Sequence, residues 1–479
     1  MPDNQLEISP VECGEKPHVE PPRGGFTPRR RTIDVPSRVL SNVSADSQQI
    51  QNSLDVQRTK RPSLQANFAL ALVGNLVYAA SQWGMLVVLA KLGSPEIVGQ
   101  FALALAVTAP IIMLSMLQLR IVQATDATRE YQFGHYLALR IISSVMAVLI
   151  IGAAVLSFGY HLELALTILL MGLLKAVESV GDACHGLMQQ RERMDRIALS
   201  QAIKGPLFFA ALAVTVFFTG SVVWGVAAMV ATSFGMLFSY ERTNVRRLLH
   251  GEHRSSVWPL WECPQLVRLA WLALPLGLVS MLVSLNTAIP RYFIERMLGE
   301  RQLGYFAALA YLQVVVALVA TAITHAITPR LSQFYASGER AAFLRLLLRV
   351  MAGGLLFGVL VVTIAAIFGR ELLTIIYRPD YADNSRVFVC LMIAVSIATL
   401  TGFLGSAIHA ARRFCLPLPT SACTVVVTLT AAALMIPEWG LLGAALATLS
   451  GVLFRFTCNA ALVLHILQKM PRDPCTITQ

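Results

Sequence analysis

Four ionisable side chains follow one another at helical spacing inside the apolar stretch "LLMGLLKAVESVGDACHGLMQQ". Lys175, Glu178, Asp182 and His185 are three or four residues apart, so they share one face of a helix. An uncompensated charge within a membrane span costs several kcal/mol. Two interpretations fit this pattern. The groups either form an ion-pair network that holds helices together, or they line a hydrated cavity that binds an ionic substrate or carries protons.

The polar stripe continues to Gln189, close to the end of the apolar run, and a stripe of this length favours the cavity. The opposite face of the same helix carries aliphatic side chains: Leu170, Leu173, Leu174, Val177 and Val180. We therefore expect that face to contact lipid.

Two further apolar runs carry polar residues that could contact a substrate. In the first run, Asn75, Tyr78 and Gln82 share one helical face. The seventh run contains Asn286 and Arg291 and includes prolines, which interrupt backbone hydrogen bonding and permit bending. The Arg291 guanidinium can bind phosphate oxygens bidentately. An arginine near the end of a span is equally typical of an interfacial anchor, and asparagine in a span commonly joins helices.

These residues need long membrane-spanning helices to position them. The chain has 479 residues, of which 56% are hydrophobic and 14% charged, and its mean hydropathy is +0.64. A soluble protein would carry about 25% charged residues. Apolar runs of about 20 residues, the length that crosses a bilayer, recur along the chain. Strand-like alternation is absent. The composition predicts an all-α polytopic membrane protein with about twelve transmembrane helices.

The distribution of basic residues predicts the topology of these spans. The predicted spans cover approximately 66–90, 97–119, 137–158, 163–188, 198–218, 221–240, 267–290, 303–327, 347–368, 386–408, 415–436 and 440–465. With the N-terminus inside, twenty Lys and Arg residues fall in inner loops, among them Arg120, Arg140 and Lys204, and seven fall in outer loops. This bias follows the positive-inside rule and predicts two cytoplasmic termini. The net charge of +11 is therefore a topology signal, and no nucleic-acid partner is expected.

A duplication is visible in the order of the apolar runs. "LGSPEIVGQFALALA" at 92–106 is echoed by "LGERQLGYFAALA" at 298–310, and "ATSFGMLF" at 231–238 by "ATLSGVLF" at 447–454. Each echo recurs six spans later, so the two copies have the same orientation. Two parallel six-helix bundles around a central cavity are therefore predicted, because transporters commonly bind substrate between such halves.

The predicted organisation has five segments, of which the first is polar enough to be disordered. They are a cytoplasmic tail at 1–62, an N-terminal six-helix bundle at 66–240, a cytoplasmic linker at 241–265, a C-terminal six-helix bundle at 266–465 and a cytoplasmic tail at 466–479. The eight cysteines are scattered and show no metal-ligand spacing, so no metal or cofactor is expected.

Catalytic motifs are absent from the sequence. It contains no HExxH, no GxSxG and no phosphate-binding GxxxxGK[ST], and the loops between spans are short. These features argue against an enzyme and against a pump driven by its own ATP hydrolysis.

Four stretches together resemble a known family. They are "AKLGSPEIVGQFALALAVTAP", "KAVESVGDACHGLMQQRERMDRIALS", "LALPLGLVSMLVSLNTAIPRYFIERMLGERQLGYFAALAYL" and "AITPRLSQFYASGE". Their order and spacing over residues 66–465 resemble the Wzx-like polysaccharide flippases of the multidrug/oligosaccharidyl-lipid/polysaccharide exporter superfamily. The resemblance implies two six-helix bundles around a cationic cavity. Lys175, Arg291 and Arg330 are the positions here that could supply its charge.

The function implied by this resemblance is transport of a polyprenyl-pyrophosphate-linked oligosaccharide across the cell inner membrane, by alternating access. Asn75, Tyr78, Gln82, Asn286 and Gln313 are the candidates for contacts with sugar hydroxyls. Coupling to protons or Na⁺ is assigned to Glu178, Asp182 and His185. The expected partners are the membrane, the lipid-linked oligosaccharide and the glycosyl transferases and polymerase of the same pathway.

Two alternatives stay open at this stage. A cation-coupled antiporter of organic cations, as in the drug-exporting branch of the superfamily, would need a negatively charged cavity, and the basic candidates argue against it. A membrane glycosyl transferase or polymerase is disfavoured by the short loops and the missing motifs.

Overall fold

The computed structural model describes residues 64–126, 130–249, 257–411 and 417–469. The predicted tail at 1–62 lies outside these residues, as does most of the predicted tail at 466–479. Every regular element within the described ranges is helical. The protein is thus an all-α membrane protein with many spans, as the composition predicts.

The helices between residues 64 and 249 form the first half of the chain. They are α1 (Leu64–Leu92), α2 (Pro95–Met116), α3 (Leu119–Thr125), α4 (Phe133–Phe158), α5 (Leu162–Gln190), α6 (Met194–Thr219), α7 (Val222–Met236) and α8 (Arg242–Leu249). A π-helical segment, Leu237–Glu241, joins α7 to α8. Gly159 and Gly220 end α4 and α6 in the left-handed conformation that favours glycine.

The second half begins immediately after the short segment 257–262. Its helices are α9 (Cys263–Leu298), α10 (Glu300–Tyr311), α11 (Gln313–Ala336), α12 (Arg340–Ile376), α13 (Pro379–Ala382), α14 (Ser385–Ala410) and α15 (Pro417–Lys469). Within this half α9 packs on α15, and α14 packs on α11, α12 and α15. Contact with the first half is made mainly where α9 and α10 pack against α2.

Eleven helical segments of the described chain are long and apolar enough to cross a membrane. The last of them covers 52 residues and is not one straight helix, because Gly440 has non-helical angles of φ 56° and ψ −130°. A Cβ on Gly443 would overlap the carbonyl oxygen of Met435, so the chain turns back on itself at this point. The count of twelve spans and their division into two bundles stay predictions.

The helix α5 lies at the centre of the first half. It packs against α2, α3, α4 and α7, and no side chain from Thr167 to Gln190 is fully exposed. Leu174 is 0% exposed and Val177 is 6% exposed. The prediction that this face contacts lipid was therefore wrong. Neighbouring helices cover it, since a central helix is apolar on sides that pack as well as on sides that meet lipid.

The two halves approach each other most closely where α2 crosses α10. A Cβ on Gly99 would overlap the carbonyl oxygen of Glu300, and a Cβ on Gly304 would overlap that of Pro95. Both glycines belong to the echoed segments at 92–106 and 298–310. The two similar segments therefore each contribute a glycine to the same close contact between helix backbones.

Polar contacts between the halves surround this glycine crossing. Glu300 accepts a hydrogen bond from Gln100 at 3.1 Å, and its other oxygen lies 2.7 Å from Nε2 of His161. Farther out, Arg378 donates to the carbonyl of Lys91 at 2.6 Å. These contacts join α10 and the connection between α12 and α13 to α1, α2 and the N-terminus of α5.

Alanine at Gly99 or Gly304 should separate α2 from α10. The added methyl group meets rigid backbone, so we expect each variant to lose about 1–3 kcal/mol of stability, although alanine is otherwise the better helix former. The readout is the melting temperature of the purified protein in detergent. Gly353→Ala is the matched control, because a Cβ there meets no atom within 4 Å. Equal melting temperatures for all three variants would contradict the close crossing.

Candidate functional site

A cavity of about 270 Å³ lies in the first half of the chain, between α1, α2, α3, α5 and α6. One wall is apolar and comes from α2, while α5 and α6 supply most of the polar side chains. The lining residues are Tyr78, Leu105, Thr108, Ala109, Ile112, Met113, Met116, Arg120, Lys175, Glu178, Ser179, Asp182, His185, Gln201 and Lys204. The structure thus brings the four ionisable residues of the α5 stripe to a single cavity.

Glu178 is bound by two ammonium groups at the cavity wall. Its carboxylate lies 2.8 Å from Nζ of Lys175, one turn earlier on α5, and 3.2 Å from Nζ of Lys204 on α6. The hydroxyl of Tyr78 on α1 also donates to it at 3.2 Å. Three helices are therefore joined at this carboxylate, and Lys175 is neutralised by Glu178.

Asp182 is bound by two guanidinium groups in the same manner. Arg120 on α3 lies 3.3 Å from one carboxylate oxygen, and Arg140 on α4 lies 3.1 Å from the other. Arg120 also donates from Nε to the side chain of Gln189 at 2.9 Å. Arg140 is 0% exposed and donates to the carbonyl of Met116 at 2.8 Å. Its charge is compensated by Asp182 inside the protein.

His185 points to a third carboxylate. Its Nε2 lies 3.2 Å from Oγ of Ser200 on α6 and 3.4 Å from Oε1 of Glu241 in the π-helical segment. Both partners are fully buried. Glu241 was not expected from the sequence. It follows the end of an apolar run, where a carboxylate is ordinarily solvated.

Three cations of this network were predicted to lie in inner loops, and that prediction was wrong. Arg120 lines the cavity, Arg140 is fully buried, and Lys204 is 7% exposed. Helices α4 and α6 begin several residues before the apolar runs that identified them, so Arg140 and Lys204 lie about two and three turns inside. Both residues also fall within the predicted spans 137–158 and 198–218, near one end of each, so counting them as loop charges did not fit those bounds either.

The second span is broken beside the cavity. Leu117 and Gln118, between α2 and α3, both have positive φ angles, 49° and 51°. Such angles are uncommon outside glycine and persist only when the surroundings enforce them. Here Arg140 holds the carbonyl of Met116, and the Gln118 amide donates to Oγ of Ser280 on α9 at 2.8 Å. The break therefore links the charged network to the second half of the chain.

The other predicted contact residues lie in varied surroundings. Gln82 is partly buried on α1, one turn from Tyr78, whereas Asn75 is exposed. Gln313 donates to the carbonyl of Leu391 at 2.8 Å, so its amide nitrogen joins α11 to α14. Asn286 lies against Gly451 on α15, and its Oδ1 has no partner among the described residues.

The two predicted cations of the second half have no acidic partner among the residues that the structure describes. Arg291 is partly buried on α9, close to Tyr292 and Tyr311, and its buried Nε makes no hydrogen bond within those ranges. Arg330 is exposed on α11. Neither residue lines the cavity in the first half. Arg291 is nevertheless near α2, because the hydroxyl of the adjacent Tyr292 donates to the carbonyl of Ala106 at 2.6 Å.

The helices are arranged as in solved structures of membrane transporters. The chain superposes on the Lipid II flippase MurJ in an inward closed conformation with a TM-score of 0.65, at 12% identity, over 84% of this chain and 90% of that one. It also superposes on a point mutant of the MATE transporter VcmN of Vibrio cholerae with a TM-score of 0.58, at 13% identity, over 84% of this chain and 95% of that one. At such identities the likeness shows a shared fold.

The sequence assigns the chain to a family. Residues 64–335 match the family described as "Polysaccharide biosynthesis protein", and the chain belongs to this family. It is also 26% identical, over 380 residues, to the capsular polysaccharide biosynthesis protein CapF of Staphylococcus aureus, covering 79% of this chain and 94% of CapF. The resemblance predicted from the four sequence stretches is confirmed. The protein is a multi-pass membrane protein of polysaccharide biosynthesis.

Removing Asp182 should leave two guanidinium groups without their counter-charge. We expect Asp182→Ala to cost about 3–5 kcal/mol, as for other buried pairs broken on one side. The double variant Asp182→Ala/Arg140→Met should lose less than the two single variants added together, because it removes the buried charge too. Melting temperatures in detergent measure this coupling.

The exposed pair Glu130 and Arg268, 3.2 Å apart, is the control for that cycle. Its coupling should be about 0–1 kcal/mol. Additive losses at Asp182 and Arg140 would show that the two side chains do not depend on each other.

Proposed function

We propose that the protein transports a polyprenyl-pyrophosphate-linked oligosaccharide across the cytoplasmic membrane, by alternating access, for synthesis of a cell-surface polysaccharide. The main support is a charged cavity between membrane-spanning helices. Cationic side chains outnumber carboxylates in the lining of this cavity. Membership of the polysaccharide biosynthesis family and the transporter fold support the same proposal. The polar headgroup would enter a hydrated space while the polyprenyl chain stays in lipid.

The charges of the network favour an anionic substrate. Four cations, Arg120, Arg140, Lys175 and Lys204, face the three carboxylates of Glu178, Asp182 and Glu241. Each carboxylate already has a basic partner within 3.5 Å. An organic cation would therefore have to displace an internal partner, which disfavours the antiporter alternative.

Arg291 and Arg330 are the best candidates to bind the pyrophosphate. Lys175, the third predicted cation, lies 2.8 Å from Glu178 and is neutralised there. The two arginines have no carboxylate partner within the described ranges, and a guanidinium binds phosphate oxygens bidentately. The pyrophosphate would thus be held by residues of the second half.

Sugar hydroxyls would be bound by neutral side chains. Tyr78 lines the cavity, Gln82 lies one turn away on α1, and the side-chain Oδ1 of Asn286 has no hydrogen-bond partner among the described residues. Asn75 is exposed on the same helix as Tyr78 and can meet a larger headgroup. Gln313 is a weaker candidate, because its amide nitrogen already donates to Leu391.

The setting of this transport is the cell inner membrane, with both termini in the cytoplasm. The two six-helix halves would open alternately to either side, and coupling to protons or Na⁺ would involve Glu178, Asp182 and His185. Glycosyl transferases would supply the lipid-linked oligosaccharide, and a polymerase would use it after transport.

Arg291→Ala should abolish glycan export without removing the protein from the membrane. Loss of an unpaired cation removes the expected pyrophosphate contact and breaks no ion pair between described residues. The measurement is surface glycan in a strain that lacks the chromosomal gene and carries the variant, with membrane abundance measured by immunoblot. Arg296→Ala, five residues on and exposed, is the control and should restore export. Normal export by Arg291→Ala would remove this residue from the substrate site.

Transport itself can be tested in proteoliposomes that contain a lipid-linked oligosaccharide. The purified protein should make the glycan in one leaflet accessible to an added glycosidase or lectin in the other, and Arg291→Ala should not. Liposomes without protein give the background. Uptake of ethidium in the same liposomes, with no movement of the lipid-linked glycan, would favour the organic-cation antiporter instead.

A further inference from the structure

His185, Ser200 and Glu241 form a buried cluster at the end of α5 that has no direct part in binding the headgroup. Ser200 is 0% exposed and Glu241 is 1% exposed. Nε2 of His185 lies 3.4 Å from Oε1 of Glu241, and the Ser200 hydroxyl lies between them, at 3.2 Å and 3.5 Å. His185 also lines the cavity, so the cluster joins a buried carboxylate to the cavity wall.

The three carboxylates of the network differ in the kind of cation they contact. Glu178 contacts two lysines and Asp182 contacts two arginines, and these groups keep their charge near neutral pH. The direct partners of Glu241 are an imidazole and a hydroxyl. Histidine is the side chain whose charge ordinarily changes near neutral pH. Among these three contacts, only the one at Glu241 therefore has a partner of the type that can gain or lose a charge in this range.

Two local features place the Glu241 carboxylate beside His185. It is the last residue of the π-helical segment Leu237–Glu241, and such segments frequently occur at functional sites. Gly181 on α5 faces its carboxylate, and a Cβ there would overlap Oε2 of Glu241. The glycine makes room for the carboxylate beside the imidazole.

Other charged and titratable groups surround the pair. Lys204 on α6 attracts the Glu241 carboxylate, while Glu178 on α5 repels it. Cys184 on α5 and Tyr240 in the π-helical segment also interact with it electrostatically. With a neutral imidazole the four cations and three carboxylates of the network leave one net positive charge, and a proton on His185 raises this to two.

We propose that the His185–Glu241 pair takes up a proton when the cavity binds a polyanionic headgroup, so that protonation and anion binding strengthen each other. This inference rests on the proposed function, since it requires a pyrophosphate near the network. The proton comes from water and adds to the ring nitrogen of His185 that carries no hydrogen. It returns to water when the anion leaves. No other bond forms or breaks. Linkage then makes anion affinity rise as the pH falls.

Inorganic pyrophosphate is the probe for this linkage. Its binding to the full-length protein in lipid nanodiscs is measured by calorimetry between about pH 6 and about pH 8, where histidine changes charge. Buffers of different ionisation enthalpy give the number of protons taken up. His185→Gln keeps a hydrogen-bonding side chain but cannot become charged. The wild type should take up more protons than this variant, by at most about one, and its affinity should rise more steeply, by up to about tenfold per pH unit.

Glu241→Gln separates the linkage from a merely structural role. It raises the net charge of the network at every pH, so pyrophosphate should bind more tightly than to the wild type at about pH 8, on the order of tenfold. Its pH dependence should be weaker, because His185 has lost its counter-charge. A structural defect would weaken binding instead, and that result would overturn the inference. If His185→Gln does not fold, Glu241→Gln still tests the linkage between protonation and pyrophosphate binding.

The outcomes separate the two proposals. Binding of pyrophosphate with the same pH profile in the wild type and His185→Gln would overturn the linkage and leave the proposed function standing. No binding by any variant at any pH would overturn the anion-binding cavity and the linkage with it. The control is His465→Gln, which changes an exposed histidine on α15 and should keep the wild-type profile. A lost profile in this control would contradict the assignment to His185.

Discussion

The cost of placing carboxylates inside a membrane-spanning helix governs the first half of this protein. Charges there must be paired or hydrated, and α5 carries two carboxylates within five residues. Each is held by cations from two sources: Lys175 and Lys204 bind Glu178, and Arg120 and Arg140 bind Asp182. These pairs bring α3, α4 and α6 against α5 and leave a polar cavity beside them.

The same constraint produces a difference between the two halves. Acidic and basic groups neutralise each other around α5, while Arg291 and Arg330 in the second half have no carboxylate partner within the described ranges. A headgroup between the halves would meet nearly equal numbers of positive and negative charges on one side. On the other side it would meet cations without carboxylate partners among the described residues. Attraction for an anion would then come from the second half, and the first half would tune it through the charge of the network.

The sequence predicted the stripe on α5 and the position of most apolar helices, because helical spacing and hydropathy are local properties. The partners of that stripe could not be predicted, since nothing in one sequence shows that Arg140 and Lys204 lie against Asp182 and Glu178. The expected lipid face of α5 failed for a related reason, because an aliphatic face packs equally well on protein. Glu241 was missed because the π-helical segment shifts its position by part of a turn relative to a regular α-helix.

The crossing of α2 and α10 restricts both of the echoed segments, 92–106 and 298–310. Gly99 and Gly304 each face a backbone carbonyl of the opposite helix, so the contact is reciprocal, as at the two-fold interface of a homodimer. Neither glycine can be replaced by a larger residue unless the opposite backbone moves. The ion pairs around α5 are made within one half and carry no such reciprocal requirement. The crossing therefore requires the same small residue on both of its sides, whereas the charged groups differ between the two halves.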